Sequence, residues 1–250
     1  MVLRMSDSNP NPANGPPPLL DQYAELVQLY GALAHEIKNP LSVIRMNMDL
    51  LAEDFVEPKS PQERRTLQKI QVVQSQCERL QILLDDFLKF ARVRKLDLVP
   101  GSLNRIVERV LDFYEPQAQQ LGIDLIRYLD PDLPSILLDS QFLYLAVMNL
   151  VKNAIEAMPH GGQLVARTRT VRNGVALDLI DTGCGMNEET ASHMFEAFYS
   201  TKQEGSGLGL PTTRRILDAH NSQIDVQTEV GRGTQFTLTF PVPVRIGAAE

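Results

Sequence analysis

Most of the reactive chemistry in this 250-residue chain lies in one histidine, two asparagines, an aspartate and two glycine-rich stretches. His35 stands in residues 31–41, GALAHEIKNPL, on an apolar-periodic segment that should bury its leucines and turn the imidazole outward. A neutral imidazole is nucleophilic near pH 7 and becomes a good leaving group once protonated. Asn149 and Asn153 sit one helical turn apart in NLVKNAIEAM, so their amides share a face. Amide oxygens can ligate Mg²⁺, a hard cation that brings phosphates with it, although a pair of helix-surface amides has the same spacing. Asp181 begins DTGCGM directly after an apolar run. A carboxylate there can accept an adenine amino proton while Gly183 and Gly185 let backbone approach the ring; a simple strand-ending turn has the same composition. Residues 205–210, GSGLGL, open onto a helix and can cradle phosphate with backbone N–H groups. The stretch is neither a Walker A sequence nor a GxGxxG fingerprint. Between these lies FEAFYSTK, residues 195–202, whose Ser200, Thr201 and Lys202 can reach a nucleotide from a mobile lid or simply form a solvated loop.

These groups need elements to hold them. Residues 1–18 are polar and proline-rich and read as a disordered tail. From Leu19 to Leu51, apolar residues recur at three- and four-residue steps, which predicts a helix of about nine turns interrupted by Pro40. A second stripe runs Leu67, Ile70, Val73, Cys77, Leu80, Leu84, Phe87, Ala91. Two near-heptad helices predict an antiparallel hairpin over 19–97. It cannot enclose a core alone; it can dock onto the second domain or dimerise, and the length of the stripe favours a homodimeric four-helix bundle. Residues 98–102 read as a linker. From 103 to 243 the pattern turns mixed, with a helix over 104–120 closed by Gly122, a strand over 123–129 and a short strand over 135–139. Ser140 is expected to cap a helix reaching Met158. Asn173-Gly174 signals a hairpin between strands 163–171 and 175–181. A short helix over 188–194, a helix entered at Pro211 and ending near His220, and a hairpin around 231–233 complete an α+β two-layer sandwich. Residues 244–250 form a C-terminal tail.

Composition narrows the function. A hydrophobic fraction of 43% supports real cores, and a net charge of −7 argues against general nucleic-acid binding. Cys77 and Cys184 offer neither metal spacing nor a disulfide framework, which fits a reducing cytoplasm. No apolar run approaches the ~20 residues that span a bilayer, so no membrane insertion is expected.

In order and spacing, the motifs resemble those of the two-component sensor histidine kinases over residues 19–243. HEIKNPL resembles the family's H box, NLVKNAIEAM its N box and DTGCGM its first glycine box. FEAFYSTK is similar to the F box, GSGLGL to the second glycine box, and GRGTQFTLTFP to the closing hairpin. The short lid and the AMPHGG turn resemble the nitrogen-regulation subgroup. The resemblance implies a dimerisation and phosphotransfer hairpin followed by a Bergerat-type ATP-binding domain. His35 would take the γ-phosphoryl group of ATP and pass it to an aspartate on a response-regulator receiver domain. Glu36 would orient or deprotonate the imidazole, and Asn39, one turn on, would position water for a phosphatase activity. Asn153 would ligate Mg²⁺, with Asn149 beside the phosphates. Gyrase-type ATPases of this fold carry a glutamate at the position of Asn149. An amide lacks its basicity, so transfer should prevail over hydrolysis. Asp181 would read adenine with Thr234 as a second contact, and Gly183 and Gly185 would line the ring. Gly205, Gly207, Leu208 and Gly209 would form the phosphate cradle, with Ser200, Thr201 and Lys202 near it. Glu156 stands where many members carry a lysine, and Pro211 and His220 also depart from the usual pattern. The input would come either from a separate sensor protein that engages residues 19–30 or from a region upstream of residue 1. Two other readings use the same residues: an ATP-binding dimeric switch without phosphotransfer, and a non-enzymatic receiver-binding adaptor.

Overall fold

The structure, a computed structural model, describes residues 19–93, 96–172, 174–202 and 205–242, with backbone alone for 19–33 and 35. The expected tails, Asn173 in its turn and the outward facing of the His35 side chain lie outside what is described.

Helices α1 (Leu19–Glu53) and α2 (Pro61–Arg92) form the antiparallel hairpin. The α1 helix continues through Pro40 without a break in its assignment. At the start of α2, Ser60 accepts the N–H of Glu63 while Glu63 accepts that of Lys59, and Pro61 occupies a first-turn position where no N–H is needed. Lys38 pairs with Asp85, the Gln81 amide donates to Ser42 at 3.4 Å, and the Gln74 amide donates to Asp49 at 2.7 Å. Such exposed contacts fix register and add at most about 1 kcal/mol each. The apolar stripes are only partly covered. Leu41, Ile70 and Cys77 are buried, but Ile37, Ile44, Leu51, Val73 and Leu80 remain exposed.

Beyond the hairpin, β1 (Val99–Gly101) pairs antiparallel with β3 (Ile136–Leu138). The segment expected as a linker is therefore a strand. A main sheet follows in the order β2-β4-β5-β7-β6. Its strands are β2 (Ile123–Tyr128), β4 (Gly162–Val171), β5 (Gly174–Asp181), β6 (Gln223–Glu229) and β7 (Gly233–Pro241). Only the β2–β4 pair is parallel. Helices α3 (Leu103–Leu121), α4 (Ser140–Glu156) and α6 (Gly209–Ala219) supply the apolar layer, and α5 (Glu188–His193) is a short connector. The α3 helix buries Leu103, Ile106, Val107, Val110, Leu111, Tyr114 and Ala118, the spacing of one face. Alternation explains the strands: Leu164 and Ala166 of β4, and Phe236, Leu238 and Phe240 of β7, are core residues. On the opposite face Asp178 is fully buried beneath Arg167 and Arg169. Burial pushes its carboxyl up, but hydrogen bonds from Arg169, Arg167 and Thr237 outweigh that and hold it below the usual carboxylate range.

The α4 cap differs from expectation. Asp139, not Ser140, accepts the N–H groups of Gln141 and Phe142 at 3.0 and 3.2 Å, and Ser140 is already helical. A carboxylate also suits the positive helix end better than a hydroxyl. His220, at the end of α6, locks this cap from behind. Its Nε2 accepts the Asp139 N–H at 3.0 Å and its Nδ1–H donates to the Ile216 carbonyl at 2.7 Å. The bond that Nε2 accepts needs the neutral ring, whereas the Nδ1–H donor survives protonation. Burial depresses its pKa, against smaller upward pulls from Ile216 and Asp139. A base whose folded pKa is depressed loses stability as pH falls, because the unfolded chain binds the proton more readily. Melting temperature should therefore decline as pH drops below about 6.5, the ordinary imidazole value. His220→Ala should cost about 2 kcal/mol at pH 7, roughly 5 °C, and flatten that decline. An undiminished slope in the variant would assign the titration to another group.

Candidate functional site

The site is built along one helix. At the C-terminal end of α4 the Ala157 carbonyl accepts the N–H of Cys184, which brings the loop after β5 against the helix. Asp181, the last residue of β5, accepts the N–H groups of Gly183 and Thr234 on one oxygen, Oδ1, at 2.9 and 3.1 Å. Burial raises the Asp181 pKa, and those two backbone bonds partly offset the rise. Neither bond uses Oδ2. No fully buried side-chain polar atom lacks a partner among the described residues, so Oδ2 keeps access to solvent and to a ligand's N–H. Gly185 and Gly233 make this close packing possible. Both have positive φ, at 65° and 104°, and a Cβ would lie 2.1 Å from the Glu229 carbonyl oxygen and 1.9 Å from that of Asp181. Thr234 is buried beneath, its hydroxyl 3.0 Å from that of Thr228, which also accepts the Met186 N–H.

One turn back along α4, Asn153 and Asn149 meet the second glycine stretch. The Asn149 amide donates to the Gly209 carbonyl at 3.1 Å, pinning the first residue of α6. Asn153 Oδ1 accepts from the Lys202 ammonium at 3.1 Å, and Lys202 also pairs with Glu156. Glu156 thus holds a lysine brought from the loop. The amide oxygen of Asn153 is already facing a cation, which is the chemistry that Mg²⁺ would need. No cluster of three or more His, Cys, Asp or Glu residues suited to a metal occurs among the described residues. A metal here would rely on Asn153, phosphate oxygens and water, the usual habit of Mg²⁺. The α6 N-terminus has no side-chain cap, whereas α2 to α5 all have one. Its orphan N–H groups are therefore available to an anion. Leu208 is buried, so only its backbone can serve a ligand. Gly207, at φ 66°, accepts the Phe198 N–H and leaves no room for a Cβ, which would lie 2.5 Å from the Phe198 carbonyl carbon. Ser200 turns back on Lys202, accepting its N–H and donating to its carbonyl. Thr201 is exposed.

His35, Glu36 and Asn39 lie on α1, with Glu36 and Asn39 exposed. The pairs Lys38–Asp85, Ser42–Gln81 and Asp49–Gln74 step equally along the two helices, and the same step places residue 35 level with Leu88. The glycine stretch docks at this height. Ser206 donates to Asp86 at 2.7 Å, and Arg215 of α6 donates to the Phe90 carbonyl at 3.2 Å. Two groups of sequence-predicted residues are thus brought together along α4: Asp181, Gly183, Gly185 and Thr234; and Asn149, Asn153, Lys202 and residues 205–209. The α1 residues lie on the helix paired with α2, on which the second group docks. Sequence reasoning missed Asp86, Ser206, Arg215 and Thr228. Ser206 lies inside the glycine motif, but its partner is 120 residues away and no local signal marks it.

Two family models match. The His Kinase A (phospho-acceptor) domain matches residues 25–95, and the histidine kinase-, DNA gyrase B- and HSP90-like ATPase matches residues 138–244. The sensory histidine kinase/phosphatase NtrB of Vibrio alginolyticus is 31% identical over 226 residues, 86% of this chain and 62% of that protein. Full-length ShkA in complex with AMPPNP superposes with a TM-score of 0.66 at 25% identity, covering 87% of this chain and 47% of that one. The fold also matches histidine kinase ThkA in complex with the response regulator protein TrrA, with a TM-score of 0.62 at 22% identity over 89% and 63% of the two chains. Other curated relatives are longer, and this chain spans 28% to 49% of their length.

Proposed function

Because the chain belongs to the histidine kinase family, we propose that it phosphorylates itself on His35 from ATP and passes the phosphoryl group to a receiver-domain aspartate. The observation that carries this reading is the docking of the glycine stretch on α2 at the level of residue 35. A phosphate cradle built on α6 then faces the helix pair that bears the nucleophile.

An imidazole nitrogen of His35 would form the N–P bond as the bridging P–O bond to the γ-phosphorus breaks. ADP leaves with that electron pair, and the ring proton passes to the Glu36 carboxylate. Asp181 would accept the adenine amino N–H through Oδ2, with Thr234 beneath it, and Gly183 and Gly185 would leave room for the ring. The backbone of Gly205, Gly207, Leu208 and Gly209 would line the phosphate cradle, with Ser200, Thr201 and Lys202 nearby. The N–H groups of Gly207 and Gly209 would be its donors, since those of Gly205 and Leu208 are given to the Lys202 carbonyl and Ser206 Oγ. Asn153 would hold Mg²⁺, which supplies charge neutralisation between the phosphates. Asn149 holds α6 and has no basicity with which to activate water, which favours transfer over hydrolysis. In the second half-reaction the receiver carboxylate attacks phosphorus, the N–P bond breaks and imidazole is regenerated. The ThkA–TrrA complex supports this class of partner. Asn39, exposed one turn from His35, would orient water against the phosphorylated receiver, in line with the kinase/phosphatase designation of NtrB.

Ile37, Ile44, Leu51, Val73 and Leu80 on the hairpin support a homodimeric bundle that covers them. No helix among the described residues is long and apolar enough to cross a membrane, and the cysteine usage fits a cytoplasmic location. Incubation with Mg²⁺ and γ-labelled ATP should yield a label that survives alkali, is released by acid and moves to a receiver domain. An acid-stable label would overturn the assignment, since a hydroxyl ester rather than a phosphoramidate would then carry it.

A further inference from the structure

We propose that Asp86 is a positioning residue for phosphoryl transfer, which holds residues 205–209 at the height of the acceptor through the Ser206 hydroxyl. The inference rests on the kinase reading above and adds to it the contact that sets the distance between donor and acceptor.

The bond is well made on both sides. Ser206 Oγ lies 2.7 Å from Asp86 Oδ2, the length of a hydroxyl donating to a carboxylate. Asp86 Oδ1 is engaged by Lys89 at 3.2 Å, which leaves Oδ2 for the loop. Ser206 Oγ in turn accepts the Leu208 N–H at 3.3 Å, so the loop's own backbone aims the hydroxyl. Asp86 is half-buried, with 28% of its side chain exposed, and part of the screening that weakens a surface contact is therefore removed.

A second attachment makes the first one directional. The Arg215 guanidinium lies 4.9 Å over the Phe90 ring, and its Nη1 donates to the Phe90 carbonyl. Phe90 is two residues from the end of α2, so its carbonyl is among the last four, which have no partner within the helix. A cation there also meets the negative end of the helix dipole. Asp86 and Phe90 flank Leu88, the residue level with position 35, each about 3 Å away along the axis. One contact would let the nucleotide-binding domain pivot; two fix both its height and its angle. Positioning matters because a misplacement of about 1 Å can cost on the order of 100-fold in rate.

The proposal separates two quantities that a general loss of structure would move together. At saturating Mg-ATP, Asp86→Ala and Ser206→Ala should each slow first-turnover labelling about tenfold while leaving the ATP dissociation constant within about twofold. The double variant should be no slower than the worse single one, because both remove the same bond. Ser206→Thr, which keeps the hydroxyl, should recover most of the rate. In nucleotide-free protein, amide exchange of residues 205–209 should quicken in Asp86→Ala at an unchanged melting temperature. The proposal is overturned by an unchanged or faster rate, by losses that multiply in the double variant, or by a defect confined to ATP affinity. If wild-type protein carries no label while Asp86→Ala still quickens exchange, the kinase reading has failed and the contact serves another purpose.

Discussion

His35→Ala should abolish phosphoryl labelling, a loss of at least about 1,000-fold, while ATP still binds within about twofold of wild type. The asymmetry follows from where the groups lie. Every residue assigned to the nucleotide sits on α4, α6, the β5 end, β7 or the loops between them, whereas residue 35 is on α1. Removing the proposed phosphoryl acceptor leaves that cleft intact. Neither neighbour on α1 can substitute: the Asn39 amide is not a nucleophile, and a phosphorylated Glu36 would be an acyl phosphate, labile to alkali. Residual alkali-stable, acid-labile label in the variant would point to His160, His193 or His220 and overturn the assignment. The variant also has a second use. Mixed with Asn153→Ala protein, which keeps its acceptor, it should recover labelling if transfer crosses between protomers, and not if it stays within one chain.

Asp181→Asn should reduce ATP affinity at least about 100-fold without lowering the melting temperature of the nucleotide-free protein. The carboxylate has one oxygen for the protein and one for the ligand. Asparagine can keep Oδ1 in place for the Gly183 and Thr234 N–H groups. It then presents an NH₂ donor where Oδ2 stood, facing the adenine amino donor. A charge-assisted hydrogen bond worth about 1.5–3 kcal/mol is lost, and two donors are left opposed. Stability moves the other way. Burial raises the pKa of Asp181, and an acid with a raised folded pKa is fully stabilising only below its unfolded pKa. At neutral pH the ionised group is a cost to the empty site. The amide removes that cost, so the variant should melt at the same temperature or higher near pH 7. Its advantage should shrink as pH falls through the ordinary carboxylate range. Calorimetric melting across pH, paired with titration by ATP, checks both halves. A variant that binds ATP normally would remove Asp181 from the adenine site, and one that melts well below wild type would make its role structural.

Helix and strand positions were largely legible in the sequence because their signals are local. The 3- and 4-residue stripes of α1 and α2, the Gly122 stop of α3 and the turn around 231–233 each depend on a few neighbouring residues. The α4 cap was misjudged by one residue because Asp139 and Ser140 are both good caps. Only the His220 ring behind the cap, brought from 81 residues away, shows which one the fold uses. The strand at Val99–Gly101 was read as a linker for a similar reason: three residues carry no period, and pairing with β3 alone makes them a strand.

The motifs around His35, Asn149, Asn153, Asp181 and residues 205–210 carried the family resemblance and pointed to the proposed class of chemistry. They did so because the chemistry demands particular side chains and glycines at fixed local spacing. Tertiary structure alone decided how those motifs serve one another. It gave Asp181 one occupied and one open oxygen, made Glu156 the partner of Lys202, and seated Ser206 on Asp86 beside the level of residue 35. Each of these is a contact between residues far apart in the chain, and its existence depends on packing that no short stretch of sequence encodes.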